Sequence, residues 1–175
     1  MADESVAVQM ARCAGVVARL AVTGRLHVDR TGRGRRMRLP DGRRFVVFRD
    51  TSRDRTSDAP PVTLAVWFHL RGVPAGARVR RYLFERESIL NTVLYAGFDG
   101  YERKLWMVDP GSSDYAGLYR WAGEDAARRY ARYITAVLRP LSVPGSVGFT
   151  IVADATLDDF DDPDDPDGDA TAPDR

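Results

Sequence analysis

The sequence predicts an α+β domain with the element order β-α-β-β-α-β, and three observations point to it. Short apolar runs of strand length alternate with two stretches of helical periodicity. Proline and glycine pairs punctuate the joins between them. The first strand, Leu64 to Phe68, is apolar on both faces and has no charged residue before Arg71, so both faces of the sheet need cover.

Ahead of that domain, Ser5 to Ala21 reads as a helix, with Val6, Met10, Cys13, Val17 and Leu20 at helical spacing and Gly24 as its stop. A short strand, Arg25 to Val28, and a glycine-arginine loop follow. The segment RRMRLPDGRRFVVFRD reads as a β-hairpin closed at Pro40-Asp41-Gly42. Thr51 to Pro61 is polar and ends in two prolines that cannot pair in a central strand, which sets a boundary. Residues 1–58 are therefore an N-terminal extension, 59–154 the main domain, and 155–175 an acidic tail.

Within the main domain, residues 63–72 form the first strand. Winding Val79 to Ala96 at about 100° per residue gathers Tyr82, Leu83, Ile89, Leu90, Val93 and Leu94 on one stripe, with Arg86 in its middle. Glu87 lies at the stripe's edge, one turn before Asn91. Gly97 stops this helix. Tyr101 to Val108 is the second strand, Asp109-Pro110-Gly111 a turn, and Tyr115 to Trp121 the third strand. Glu124 to Arg139 is the second helix, with acids in its first turn and Tyr130, Tyr133, Ile134 and Leu138 on its apolar arc. Ser146 to Val152 is the last strand. This order is the ferredoxin-like split βαβ, in which the helices cover one face of the sheet. A second copy of the same sheet is the simplest cover for the other face, so a homodimer is expected. The tail, a run of Asp-Asp-Pro repeats, has little apolar area to bury and is expected to be disordered.

The net charge of +1 hides an asymmetry. Eleven arginines and four aspartates lie between Arg25 and Arg55, and ten aspartates lie after Ala153. Arginine outnumbers lysine throughout, Lys104 being the only lysine, so a compositional bias accounts for the basic stretch better than a nucleic-acid-binding face. The tail has the charge to neutralise it. A single cysteine fits a reducing cytoplasm, and no membrane-length apolar run is present. Two histidines and one cysteine far apart make no metal-ligand spacing, no phosphate loop follows a strand, and no nucleophilic triad is spaced around Ser88.

Four pieces carry a family likeness: RESILNT (86–92), GFDGYERKLWM (97–107), GLYRWAGEDAARRYAR (117–132) and SVPGSVGFTIV (142–152). In these the chain resembles the dimeric α+β barrel superfamily over Val62 to Asp154. Within it, the chain looks like the actinobacterial branch of YdhR-type monooxygenases, related to the antibiotic-biosynthesis monooxygenases. The resemblance implies a pocket between the sheet and its own helices and a homodimer. It also implies cofactor-free oxygenation, in which a deprotonated phenol or polycyclic, polyketide-like substrate itself reduces dioxygen. The protein then supplies a base, an anion partner and a dry aromatic box.

The candidates for those roles are His69 as base, Arg86, Asn91 and Lys104 as anion partners, and Trp67, Trp106, Tyr119, Tyr130 and Tyr133 as walls. Each has an ordinary alternative. A histidine at a strand end is often structural, and Arg86 fits a structural ion pair or a side chain reaching for solvent. A lysine on an edge strand guards against edge pairing, Asn91 fits a local bridge, and the aromatic residues fit plain core. A polyketide-type cyclase, a non-catalytic ligand-binding or regulatory module, and a haem protein with His69 or a tyrosine on iron remain alternative functions on the same fold. No cofactor or metal is expected.

Overall fold

The computed structural model describes residues 6–29, 32–54, 59–72, 95–112, 114–162 and 164. In chain order these form helix α1 (Val6–Val22), strands β1 (Leu26–Asp29), β2 (Arg36–Arg38), β3 (Arg44–Arg53), β4 (Pro61–His69), β5 (Tyr101–Val108) and β6 (Asp114–Ala122), helix α2 (Glu124–Leu138), and strand β7 (Gly148–Ala153). Short 3-10 turns cover Arg139–Leu141 and Leu157–Phe160. Of the expected helix from Val79 to Ala96, residues 79–94 lie outside the described residues, and Tyr95 and Ala96 are in a turn.

The strands form one antiparallel sheet in the order β1-β3-β5-β6-β4-β7. The last four positions, β5-β6-β4-β7, are the strand order of the ferredoxin-like sheet. The N-terminal hairpin extends that sheet. β3 pairs with β5 from Val46↔Val108 to Ser52↔Arg103, and β1 and β2 lie along the far edge of β3. Three expectations are corrected here. Thr51 to Arg53 belong to β3 rather than to a linker. Pro61 opens β4, opposite Ala122; the first residue of a strand tolerates a missing N–H. β5 is an interior strand, so edge protection does not explain Lys104.

The hairpin closes where glycine and proline predicted. Gly42 adopts φ +86° and donates its N–H to the Leu39 carbonyl at 2.8 Å. Alternation along the strands then sorts the core into two layers. On one face Leu64, Val66, Tyr101, Trp106, Tyr119 and Trp121 pack under α2 through Ala127, Tyr130, Ala131 and Ile134, with Cys13 of α1 alongside. On the other, Ala65, Leu105, Met107, Ala116 and Leu118 pack against Met37, Leu39, Phe45, Leu157 and Phe160.

That second layer changes the reading of the tail and of the dimer. Leu157 and Phe160 are buried, Asp162 donates its N–H to the Arg36 carbonyl at 3.0 Å, and Asp161 bridges to Met37. Arg35 holds Asp158 at 2.6 Å and Asp161 at 2.5 Å. Arg38 holds Asp162 at 2.7 Å and also Asp164, while Arg44 holds Asp164 at 2.6 Å. The expected disorder therefore does not extend to 155–162. Two apolar residues among the aspartates are worth roughly 1.5–3 kcal/mol each when buried, and the arginines of β2 and β3 neutralise the carboxylates beside them. The outer face is thus covered within a single chain, which removes the ground on which a second sheet was expected there. No helix among the described residues is long and apolar enough to cross a membrane.

Candidate functional site

On the helix side of the sheet, a cavity of about 80 Å³ is lined by Phe68, Leu70, Tyr95, Lys104, Trp106, Tyr119, Tyr130, Ile134, Val137, Leu138 and Leu141. β5 supplies Lys104 and Trp106 from alternate positions on one face, and β6 supplies Tyr119, which sits opposite Lys104 in register. α2 closes the cavity with Tyr130, Ile134, Val137 and Leu138, three to four residues apart and so on one stripe. Tyr95 comes from the turn that precedes Gly97.

Gly117 makes room for this arrangement. It faces Trp106 across the β5–β6 ladder, and a Cβ there would lie 2.8 Å from the Tyr119 ring and 3.1 Å from Lys104 Cε. A glycine inside a strand weakens it; here the empty position admits the lysine stem and the tyrosine ring.

Lys104 is 4 % exposed, and its Nζ lies 3.0 Å from the Trp106 ring centroid, 4.5 Å from Tyr95 and 4.6 Å from Tyr119. Among the described residues no carboxylate forms an ion pair with it. Burial holds its amine well below the usual lysine range, and the Arg49 charge lowers it further. The ring faces oppose that shift, since each attracts an ammonium by about 0.5–2 kcal/mol, but removing an ion from water costs several kcal/mol. Desolvation outweighs the ring attraction, so burial favours the neutral amine relative to an exposed lysine. The nearby hydroxyls are already engaged: Trp106 Nε1 donates to Tyr95 Oη at 3.3 Å, and Tyr130 donates to Tyr119 Oη at 3.2 Å. Burial raises both Tyr119 and Tyr130 well above the normal phenol range, so both stay protonated. Thr51, the register partner of Lys104 on β3, also has a buried hydroxyl with no hydrogen-bond partner among the described residues.

The structure brings together Lys104, Trp106, Tyr119 and Tyr130 of the residues singled out in the sequence. Tyr133 stands beside them rather than in the cavity: it packs on Phe98 and Tyr130, and burial raises its phenol to about 12. Trp67 and His69 are corrections. They share a strand face, as expected, but it is the outer one. Trp67 lies under the Arg43 guanidinium at 4.5 Å, and His69 Nδ1 is 2.8 Å from Asp114 Oδ1 at the half-exposed strand end. His69 therefore does not line this cavity. Arg86 and Asn91 lie outside the described residues. Tyr95 was not foreseen, although it touches Tyr101, Trp106 and Tyr119 and is fully buried.

No protein-family model matches the chain, and no curated protein matches it either. Two crystal structures of SnoaB, a cofactor-independent oxygenase from Streptomyces nogalater, are similar to it. One, of a mutant, has 24 % identity and a TM-score of 0.39; the other has 25 % identity and a TM-score of 0.37. Each covers 57 % of this chain and 98 % of its own.

Proposed function

We propose that the chain is a cofactor-free enzyme that removes a proton from a phenolic or enolic small molecule, with Lys104 as the base. One observation carries this reading: a lysine amine sealed among three aromatic faces at the edge of a cavity, with no carboxylate paired to it among the described residues. A neutral amine accepts the proton, and the ammonium formed is held over the rings beside the new anion. Charge is thus created as an adjacent pair in a dry site, where the attraction is strongest.

The sequence resemblance to the dimeric α+β barrel monooxygenases, YdhR-type branch included, supplies the next step. The electron-rich anion reduces dioxygen, and for an anthrone-like methylene the balance is CH2 plus O2 giving C=O plus water. Tyr119 and Tyr130, kept protonated by burial, provide O–H groups on the same wall. A cavity of about 80 Å³ is well under the roughly 300 Å³ at which ordinary ligand sites begin. The described residues therefore fit the reacting edge of a ring system rather than a whole polycycle. Arg86 and Asn91 remain proposed anion partners.

The test is oxygen uptake with an anthrone and with simpler phenols. Lys104→Met should lower turnover about 10²–10⁴-fold, the usual worth of a general base, and wild-type activity should rise with pH through the lowered lysine pKa. A Lys104→Met protein with full turnover contradicts the proposal. Proton removal and ring closure without oxygen uptake would move the reading to a cyclase on the same site.

A further inference from the structure

The chain has one lysine, Lys104, among 26 basic residues. Among the described residues, several half-buried arginines have carboxylate partners: Arg35 with Asp158 and Asp161, Arg38 with Asp162, Arg103 with Asp50, Arg120 with Glu102. A compositional bias toward arginine would place arginine inside the aromatic box too. The two side chains differ in one chemical respect that matters there: a guanidinium does not lose its proton, whereas a desolvated amine does and then becomes a nucleophile.

The surroundings suit that role. Nζ lies against three ring surfaces, and the Trp106 Nε1 and Tyr130 hydroxyl donors beside it are spent on Tyr95 and Tyr119. Phe68, Leu70, Ile134 and Val137 make the remaining wall apolar. Tyr119 Oη accepts from Tyr130 and keeps its own hydrogen, so it is the proton donor that loss of water requires.

We infer that Lys104 is also an imine-forming lysine, which condenses with a small apolar or aromatic aldehyde or ketone admitted to this cavity. Nζ attacks the carbonyl carbon and an N–C bond forms. The resulting carbinolamine loses its oxygen as water together with the amine protons, leaving C=N. Nothing is oxidised or reduced. The inference rests on the same neutral amine as the proposed base, and it adds a class of ligand and a covalent step that proton removal does not need.

Reductive trapping with benzaldehyde and cyanoborohydride at pH 7 tests it. An ordinary lysine at that pH is neutral in only about one molecule in 2,500, so labelling within minutes singles out a perturbed amine. The expected result is one benzyl group on the peptide containing Lys104, at a rate matching or exceeding that of the α-amino group. Lys104→Met should carry label on the α-amino group alone. Wild-type protein labelled on the α-amino group alone overturns the inference. Oxygen uptake by the same preparation separates the two readings: turnover without trapping removes the covalent step and leaves the base, whereas trapping without turnover keeps the imine and removes the base.

Discussion

The two faces of the sheet are both buried, and they are buried for different ends. The outer face is aliphatic, built from Ala65, Leu105, Met107, Ala116 and Leu118, and is closed by the chain's own Leu157 and Phe160 under an arginine–aspartate clamp. The helix face is aromatic and encloses a cavity with an amine in it. Arg103 and Lys104 show the contrast one residue apart on β5. Arg103 turns outward and binds Asp50 through Nε at 3.0 Å and through Nη2 at 2.5 Å. Lys104 turns inward to three ring faces. Arg103 has a carboxylate to match its charge, whereas Lys104 has none among the described residues and is the group the proposed chemistry uses.

The largest test of that contrast is to open the outer face. Removing residues 156–175 takes away Leu157 and Phe160, at about 3–6 kcal/mol for the pair. The melting temperature should fall steeply, and sedimentation should show association through the uncovered sheet. An unchanged melting temperature would mean the tail is not what closes this face. The ion pairs add less, because Arg35, Arg44, Asp158, Asp161 and Asp164 all keep substantial contact with water. Asp164, held below the usual carboxylate range mainly by its hydrogen bond to Arg38, contributes in full above its unfolded pKa of about 4 and loses that contribution as pH falls through its lower folded value.

Arg103→Met comes next. It strands Asp50, which is 5 % exposed, and should destabilise by about 2 kcal/mol in a urea titration, below the 3–5 of a fully buried pair because Arg103 is partly in water. Gly117→Ala should be milder for stability, about 1–2 kcal/mol of overpacking. Its new Cβ presses on the Tyr119 ring and Lys104 Cε, so ligand binding and turnover should be lost out of proportion to the stability change.

The smallest effect carries the opposite sign. Lys104→Met should leave stability unchanged or raise it by up to about 1 kcal/mol at pH 7, whereas the same substitution at the neighbouring position destabilises. The sign follows from linkage: folding lowers the lysine pKa, so from that lowered value up to about 10.4 the unfolded chain binds the extra proton and wild-type stability rises with pH. The advantage of Lys104→Met should therefore shrink as pH approaches 10. A constant difference from pH 7 to pH 10 would contradict it.

Much of this contrast was legible in the sequence, and its gaps have physical causes. Lys104 and Trp106 alternate on a strand, and Tyr119 and Tyr130 carry the right periodicity, and those four line one cavity. Trp67 and His69 were misplaced because period-two alternation says which residues share a face but not which face receives the helices. Leu64 and Ala65 are both apolar, so β4 offers no polar side to break the tie. The docked tail was hidden because composition averages over a segment, and ten aspartates outvote one leucine and one phenylalanine. Tyr95 sits in a turn next to Ala96 and Gly97, where no helical or strand period marks a buried ring.

The central claim is that burial lowers the Lys104 pKa and so makes its neutral amine available, and NMR titration tests it most directly. With lysine labelled at its ε-carbon the chain gives one side-chain signal, because it has one lysine. Among the described residues, the charged and titratable groups facing it are Arg49, Tyr95, Tyr119 and Tyr130. Tyr119 and Tyr130 are buried and stay protonated through neutral pH, leaving the Arg49 charge to add to desolvation. The midpoint should lie well below the ordinary value of 10.5. A midpoint at or above that value would show an ammonium at rest in the aromatic box, and neither proton removal nor imine formation at Lys104 would then stand.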